Sequence, residues 1–116
     1  MPYDASDVPY KRSTSRVHAN EDVWVCWRCD GHDAISRVRD ISVGGLSLEV
    51  SNRRAAVGQT ATLDFLVQEG PIRVECVVRR VEIGHRLGFK FTAVTDAHRS
   101  HLAKLISRLR GYPLRP

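Results

Sequence analysis

The sequence predicts an all-β domain, an antiparallel barrel or sandwich of about six short strands, followed by a single C-terminal helix. Three observations carry this. Apolar and polar residues alternate along successive short runs, Gly, Asp and Pro cluster between the runs, and the period becomes helical near the C-terminus. Val23, Val25 and Trp27 fall on one face of the first run, with Trp24, Cys26 and Arg28 on the other. The turn residues of Cys29-Asp-Gly-His-Asp33 separate it from a second strand, Ala34 to Arg39, and the two make a hairpin. Asp40-Ile-Ser42-Val-Gly44-Gly45 reads as a turn leading into a half-buried strand with Leu46, Leu48 and Val50 on one face. Asn52, Arg53, Arg54 and Gly58 bracket a loop, after which Ala61, Leu63, Phe65 and Val67 alternate. Glu69-Gly-Pro71 is a turn, and Ile72, Val74, Cys76 and Val78 form one face of a long strand. Gly84-His85 then turns the chain into Leu87, Phe89 and Phe91. Leu102, Leu105, Ile106 and Leu109 sit at i, i+3, i+4 and i+7, the stripe of a helix capped by Thr95 or Asp96 and stopped by Gly111 and Pro113.

The 116 residues fit one domain and can bury a core without disulfide staples. Residues 1–10 are polar and aperiodic and read as a flexible tail, residues 11–111 as the domain, and residues 112–116 as a short second tail. Eighteen Lys and Arg against 13 Asp and Glu give a net charge of +5, which suits an anionic partner: nucleotide, nucleic acid or lipid. The N-terminus lacks the basic and apolar regions of a signal peptide, and no apolar run is long enough to span a bilayer. Three cysteines, an odd number, fit a reducing compartment, so a cytoplasmic location is expected.

Two short motifs stand out in this frame. Arg12-Ser-Thr-Ser-Arg16 is an R-x-x-x-R just ahead of the first long strand, and Asp40-Ile-Ser42-Val-Gly44-Gly45 is a D-x-S-x-x-G between the second and third. Neither is specific alone; their order and placement are. Together with Gly84-His-Arg-Leu-Gly-Phe-Lys-Phe91, they give the chain a resemblance to the PilZ family of cyclic di-GMP receptors, from about Lys11 to about Arg110. The resemblance implies a six-stranded antiparallel PilZ-like β-barrel with a C-terminal α-helix. It also implies that Arg12, Arg16, Asp40 and Ser42 contact cyclic di-GMP and that Gly45 shapes the turn. In that family the position matching Lys11 bears on whether one ligand or an intercalated pair binds, so the resemblance places Lys11 among the expected ligand-binding residues.

The side-chain chemistry is consistent with that implication. A cyclic dinucleotide offers guanine edges rich in acceptors, two phosphates and broad π faces, and the planar fork of arginine suits all three. Asp40 is an acceptor-only carboxylate suited to the guanine N1–H and N2–H donors. Ser42 can donate to phosphate or base, and Gly44 and Gly45 permit close approach of the backbone to the ligand or φ > 0 in the turn. The bland readings are a solvated basic patch for the arginines and turn chemistry for Asp40 and Ser42.

Other constellations rank lower. Cys26 and Cys29 form a C-x-x-C, but residues three apart on a strand diverge, and Cys76, His18 and His32 supply no standard zinc spacing. His98 and His101 lie at i, i+3 on the helix and read as partly exposed helix residues. No P-loop, G-x-G-x-x-G or credible catalytic triad is present, so no enzymatic activity and no cofactor are expected. Arg53, Arg54, Arg73, Arg79, Arg80 and Arg86 add charge; on a regular strand Arg79 and Arg80 point oppositely and form no common patch. Trp24 and Trp27 fall on opposite faces, so one belongs to the core. The expected function is a receptor that changes conformation on binding cyclic di-GMP and regulates an unidentified protein partner. Two alternatives stand beside it: a barrel binding single-stranded nucleic acid, a less favoured partner, and a PilZ-fold adaptor without nucleotide affinity.

Overall fold

The computed structural model describes residues 16–50, 55–82 and 85–111. The expected tails, Lys11, Arg12, Arg53, Arg54, Gly84 and Pro113 lie outside those residues. In chain order the elements are β1 (Val17–His18), β2 (Trp24–Cys29), β3 (His32–Ser42), β4 (Gly45–Glu49), β5 (Thr60–Leu66), β6 (Arg73–Glu82), β7 (Arg86–Ala93) and α1 (Asp96–Arg110). Every pairing is antiparallel, and the hydrogen-bonded order β3-β2-β5-β6-β7-β4 returns to β3, closing a six-stranded barrel. The two-residue β1 pairs with the last part of β3, opposite Asp40 and Ile41. Closure removes the exposed sheet edges that would otherwise invite pairing with other chains.

Alternation places the core. Val23, Val25, Trp27, Val38, Ile41, Leu46, Leu48, Leu63, Val74, Val78, Leu87 and Phe89 are buried inside the barrel. Trp27 is the core tryptophan, edge-on to Phe89 with ring centroids 5.7 Å apart. Its indole N–H donates to Ser36 Oγ at 2.9 Å, so the one polar atom of the ring is satisfied where water cannot reach it. Trp24, on the opposite face, stays 43% exposed. The β2–β3 hairpin turns through Asp30 and Gly31, both at positive φ (55° and 76°), the backbone a two-residue turn between right-twisted strands requires.

Helix α1 buries Leu102, Leu105, Ile106 and Leu109, and Thr95 is the N-cap, its side chain accepting from the His98 N–H. Gly111 ends it in the left-handed conformation (φ 75°). Polar contacts fasten this helix to the turn between β5 and β6. His98 Nδ1 accepts from the Arg73 N–H at 3.0 Å, and His101 Nδ1 meets the Pro71 carbonyl at 2.7 Å. The His101 ring also packs so close over Gly70 that a Cβ there would overlap it. Arg108 grips the Glu69 carboxylate with two nitrogens and reaches Glu21 at 2.6 Å with a third. Arg108 holds the Glu69 carboxyl below its ordinary range. No helix among the described residues is long and apolar enough to cross a membrane.

Candidate functional site

The D-x-S-x-x-G segment is less of a turn than the sequence suggests. Strand β3 runs on through Asp40, Ile41 and Ser42, and β4 already begins at Gly45, leaving only Val43 and Gly44 in the turn. The reason is Ile41, which is fully buried and pairs opposite Leu46, so the ladder continues past the expected end of the strand. Asp40 and Ser42 consequently stand on the outer face of the barrel, opposite Ser47 and Gly45. Ser42 performs the turn chemistry: its Oγ accepts from the Gly44 N–H at 3.2 Å and lies 3.4 Å from the Gly45 carbonyl. Asp40 instead receives Arg16, whose Nη1 donates to Oδ1 at 2.7 Å. This ion pair joins the two sequence motifs across the short β1 pairing.

The glycines also differ from expectation. Neither Gly44 nor Gly45 has positive φ. A Cβ on Gly45 would run into the Phe89 carbonyl oxygen of β7, so the residue is glycine because two strand backbones close on each other there. At Gly44 a Cβ would meet nothing, although the Gly44 carbonyl accepts from the Phe91 N–H at 2.8 Å.

Two β-bulges set the charged walls of the site. On β3 the register slips between Val38 and Asp40; on β6 it slips between Val78 and Arg80. In each case the flanking apolar residues, Val38 and Ile41 or Val78 and Val81, keep facing inward. The two residues between them are then forced outward together. Arg39 and Asp40 are one such pair, and Arg79 and Arg80 are the other. The expectation that Arg79 and Arg80 diverge is therefore wrong, because the extra bulge residue cancels the alternation it rested on.

Arg16, Asp40, Ser42, Gly44, Gly45, Ser47, Arg79, Arg80, Arg86, Gly88 and Lys90 line one cleft of about 570 Å³ over β3, β4, β7 and β6. Five of these are cations and one is a carboxylate. Arg16 is paired with Asp40 and Arg86 with Glu82 (3.1 Å). Arg79, Arg80 and Lys90 make no ion pair among the described residues, and Arg80 acts on Glu82 only as a more distant charge. A neighbouring cleft of about 670 Å³, lined by Trp24, Ile35, Arg37, Arg39, Glu49, His85 and Arg86 among others, differs in charge balance. There Arg37 is bound by both Glu49 (3.0 Å) and Asp22 (2.9 Å), and Arg39 lies 3.6 Å from Glu49. The first cleft has cationic charge to offer a ligand; the second has spent it internally.

The remaining candidates disperse. Cys26 is half-buried on the outer face of β2, while Cys29 is buried inside, as alternation requires. Burial pushes the Cys76 thiol up to about 12, away from reactivity at neutral pH. Among the described residues no group of three or more His, Cys, Asp or Glu is gathered for a metal. His98 and His101 stack at 6.2 Å and serve the helix attachment. Arg73 lies on another face, fastened to Asp64 at 2.8 Å.

Comparison with known proteins agrees with the fold. A family model described as PilZ domain matches residues 10–108. The PilZ domain of YcgR from Escherichia coli with c-di-GMP superposes at a TM-score of 0.68 with 18% identity, covering 84% of this chain and 89% of that one. The K. pneumonia MrkH–c-di-GMP complex gives 0.67 at 19% identity over 81% of this chain, and the Bacillus subtilis inhibitor of motility MotI gives 0.68 at 17% over 81%. The chain spans about half the length of these last two, 49% of each. At such identities the likeness establishes the shared fold. A sequence search of curated proteins finds no match.

Proposed function

Because the chain belongs to the PilZ domain family, we propose that it is a receptor for cyclic di-GMP, acting by binding rather than by catalysis. The observation that carries this is the meeting of Arg16, Asp40 and Ser42 in a cleft whose far wall is cationic. The Asp40 carboxylate offers acceptors for the N1–H and N2–H of a guanine. The Arg16 fork offers two parallel donors to guanine O6 and N7 or to a phosphate. These two groups bond each other at 2.7 Å, so a guanine that engages either one competes for or shares that ion pair. Binding thus acts on the segment that carries Arg16. Arg12 lies four residues earlier and is placed by the resemblance on the same ligand, with Lys11 beside it. The charge-assisted contacts must exceed the conformational entropy lost by whatever groups they fix. Rearrangement of that segment is the signal that a partner protein reads.

Calorimetric titration tests the reading. Wild-type protein should bind cyclic di-GMP saturably, Arg16→Ala should lose roughly a hundredfold or more, and the stoichiometry reports one ligand or two. Amide exchange in residues 1–16 should slow on binding. Absence of heat together with unchanged NMR shifts in the wild type would leave an adaptor without nucleotide affinity. Binding of a single-stranded oligonucleotide in place of the dinucleotide would favour the nucleic-acid alternative.

A further inference from the structure

The cross-strand register lays the cleft out in rows. Asp40 pairs with Ser47, Ser47 with Gly88, and Gly88 with Arg80, giving one row across β3, β4, β7 and β6. The next row runs from Ser42 to Gly45 to Lys90. Asp40 and Arg80 are thus three strand spacings apart, roughly 14 Å along the sheet. Between them lie a buried serine and a glycine, which raise nothing that would obstruct a ligand lying across the strands. The cleft therefore has two walls, one at each end of the row. Arg16, Asp40 and Ser42 make the first, where acceptor and donor stand side by side. Arg79 and Arg80 make the second, which is purely cationic, with Lys90 between.

Resting on the reading above, we infer that Arg79 and Arg80 form a phosphate-holding wall, and that this wall makes the site select a dinucleotide over a mononucleotide. The bulge on β6 brings both guanidiniums to the cleft, and neither has an ion-pair partner among the described residues. A mononucleotide engaged by Asp40 through its base reaches one wall only. A dinucleotide places its further phosphate and base beyond the Ser47–Gly88 floor, toward the arginines. Held charge rather than a directional base contact is the role assigned to Arg79 and Arg80, because the nearest acceptor on β6, the Glu82 carboxylate, is taken by Arg86 at 3.1 Å and lines the neighbouring cleft.

The experiment compares cyclic di-GMP and 3′,5′-cyclic GMP by calorimetry on wild type, Arg16→Ala, the double variant Arg79→Ala/Arg80→Ala and the double variant Arg79→Lys/Arg80→Lys. Thermal melts confirm that each is folded, which exposed side chains on a closed barrel should allow. Removal of both arginines should weaken cyclic di-GMP by roughly tenfold or more while leaving any weak binding of the mononucleotide unchanged. The lysine pair should recover most of the loss, since a phosphate accepts an ammonium. Wild-type affinity in the alanine pair overturns the inference and leaves the receptor reading intact. A lysine pair as weak as the alanine pair overturns the phosphate assignment. No binding by the wild type sinks both.

Discussion

Two faces of the same barrel carry arginines on adjacent strands, and only one of them has charge to spare. On the face formed by β2, β3, β5 and β6, Arg28 stands opposite Asp33 and holds it with two nitrogens at 2.6 and 3.2 Å. Arg73 stands opposite Asp64 and holds it at 2.8 and 3.0 Å, and Thr62 faces Glu75, donating to it at 3.0 Å. On the face formed by β3, β4, β6 and β7, Arg86 stands opposite Glu49 and Glu82, but two other cations have a glycine across the strand. Arg80 faces Gly88, and Lys90 faces Gly45. Side chains directly opposite one another on a sheet interact most strongly, so the register decides whether a cation is consumed or available. The cleft face holds more basic residues, but what stands across the strand decides whether each one is neutralised.

The comparison can be broken most severely at Gly45. Gly45→Ala drives a Cβ into the Phe89 carbonyl, and β4 must move off β7, the pairing that closes the cleft floor. A loss of about 3 kcal/mol in chemical denaturation is expected, the upper end for overpacking, together with loss of cyclic di-GMP binding. Gly88→Glu converts one face into the other by placing an acid opposite Arg80. Its Cβ would stand 3.3 Å from the Arg80 Cβ, so β6 and β7 must part by a few tenths of an ångström; the fold should survive this while dinucleotide affinity drops by roughly tenfold. Undiminished affinity would mean that the cation facing Gly88 is not used.

Smaller effects sharpen the contrast away from the cleft. The Glu69 carboxyl is depressed by its hydrogen bonds from Arg108, so the unfolded chain takes up a proton before the folded one does. The stability this gives is fully present above the ordinary carboxyl value of 4.5 and is lost as pH falls below it. Glu69→Gln should cost about 1 kcal/mol at neutral pH and flatten the acid limb of the melting temperature measured across that value. On the paired face, Arg73→Ala should change stability by at most about 0.5 kcal/mol, because the pair is exposed and screened. It should leave ligand affinity untouched. A change in affinity there would erase the distinction between the faces.

Much of this molecule was legible in the residues. Val23, Val25 and Trp27 against Trp24, Cys26 and Arg28 sort by face as alternation predicts, and Leu102, Leu105, Ile106 and Leu109 form the buried helix stripe. Arg16, Asp40, Ser42, Gly44 and Gly45, singled out by motif, line one cleft. Arg79 and Arg80 were missed for a specific reason. A bulge inserts one residue without any obligatory sequence mark, and beyond it the period-two rule assigns the wrong face. The available signal was the spacing of Val78 and Val81, apolar residues three apart on a strand whose inward positions had until then been two apart.

By itself the sequence determined what local chemistry and periodicity can determine: the six barrel strands along the chain though not the two-residue β1, the helix with its N-cap narrowed to Thr95 or Asp96 and its stop at Gly111, the turn of the first hairpin, and the two motifs. The tertiary structure decided how distant segments align. Pairing of β4 with β7 explains Gly45, and the bulge of β6 against β7 aims Arg79 with Arg80. The Arg16–Asp40 pair spans residues 24 apart along the chain. Local propensity acts over a few residues, whereas register and bulges follow from packing the interior of the closed barrel. Which cations are neutralised and which remain to meet an anion is settled only when strands far apart in sequence lie side by side.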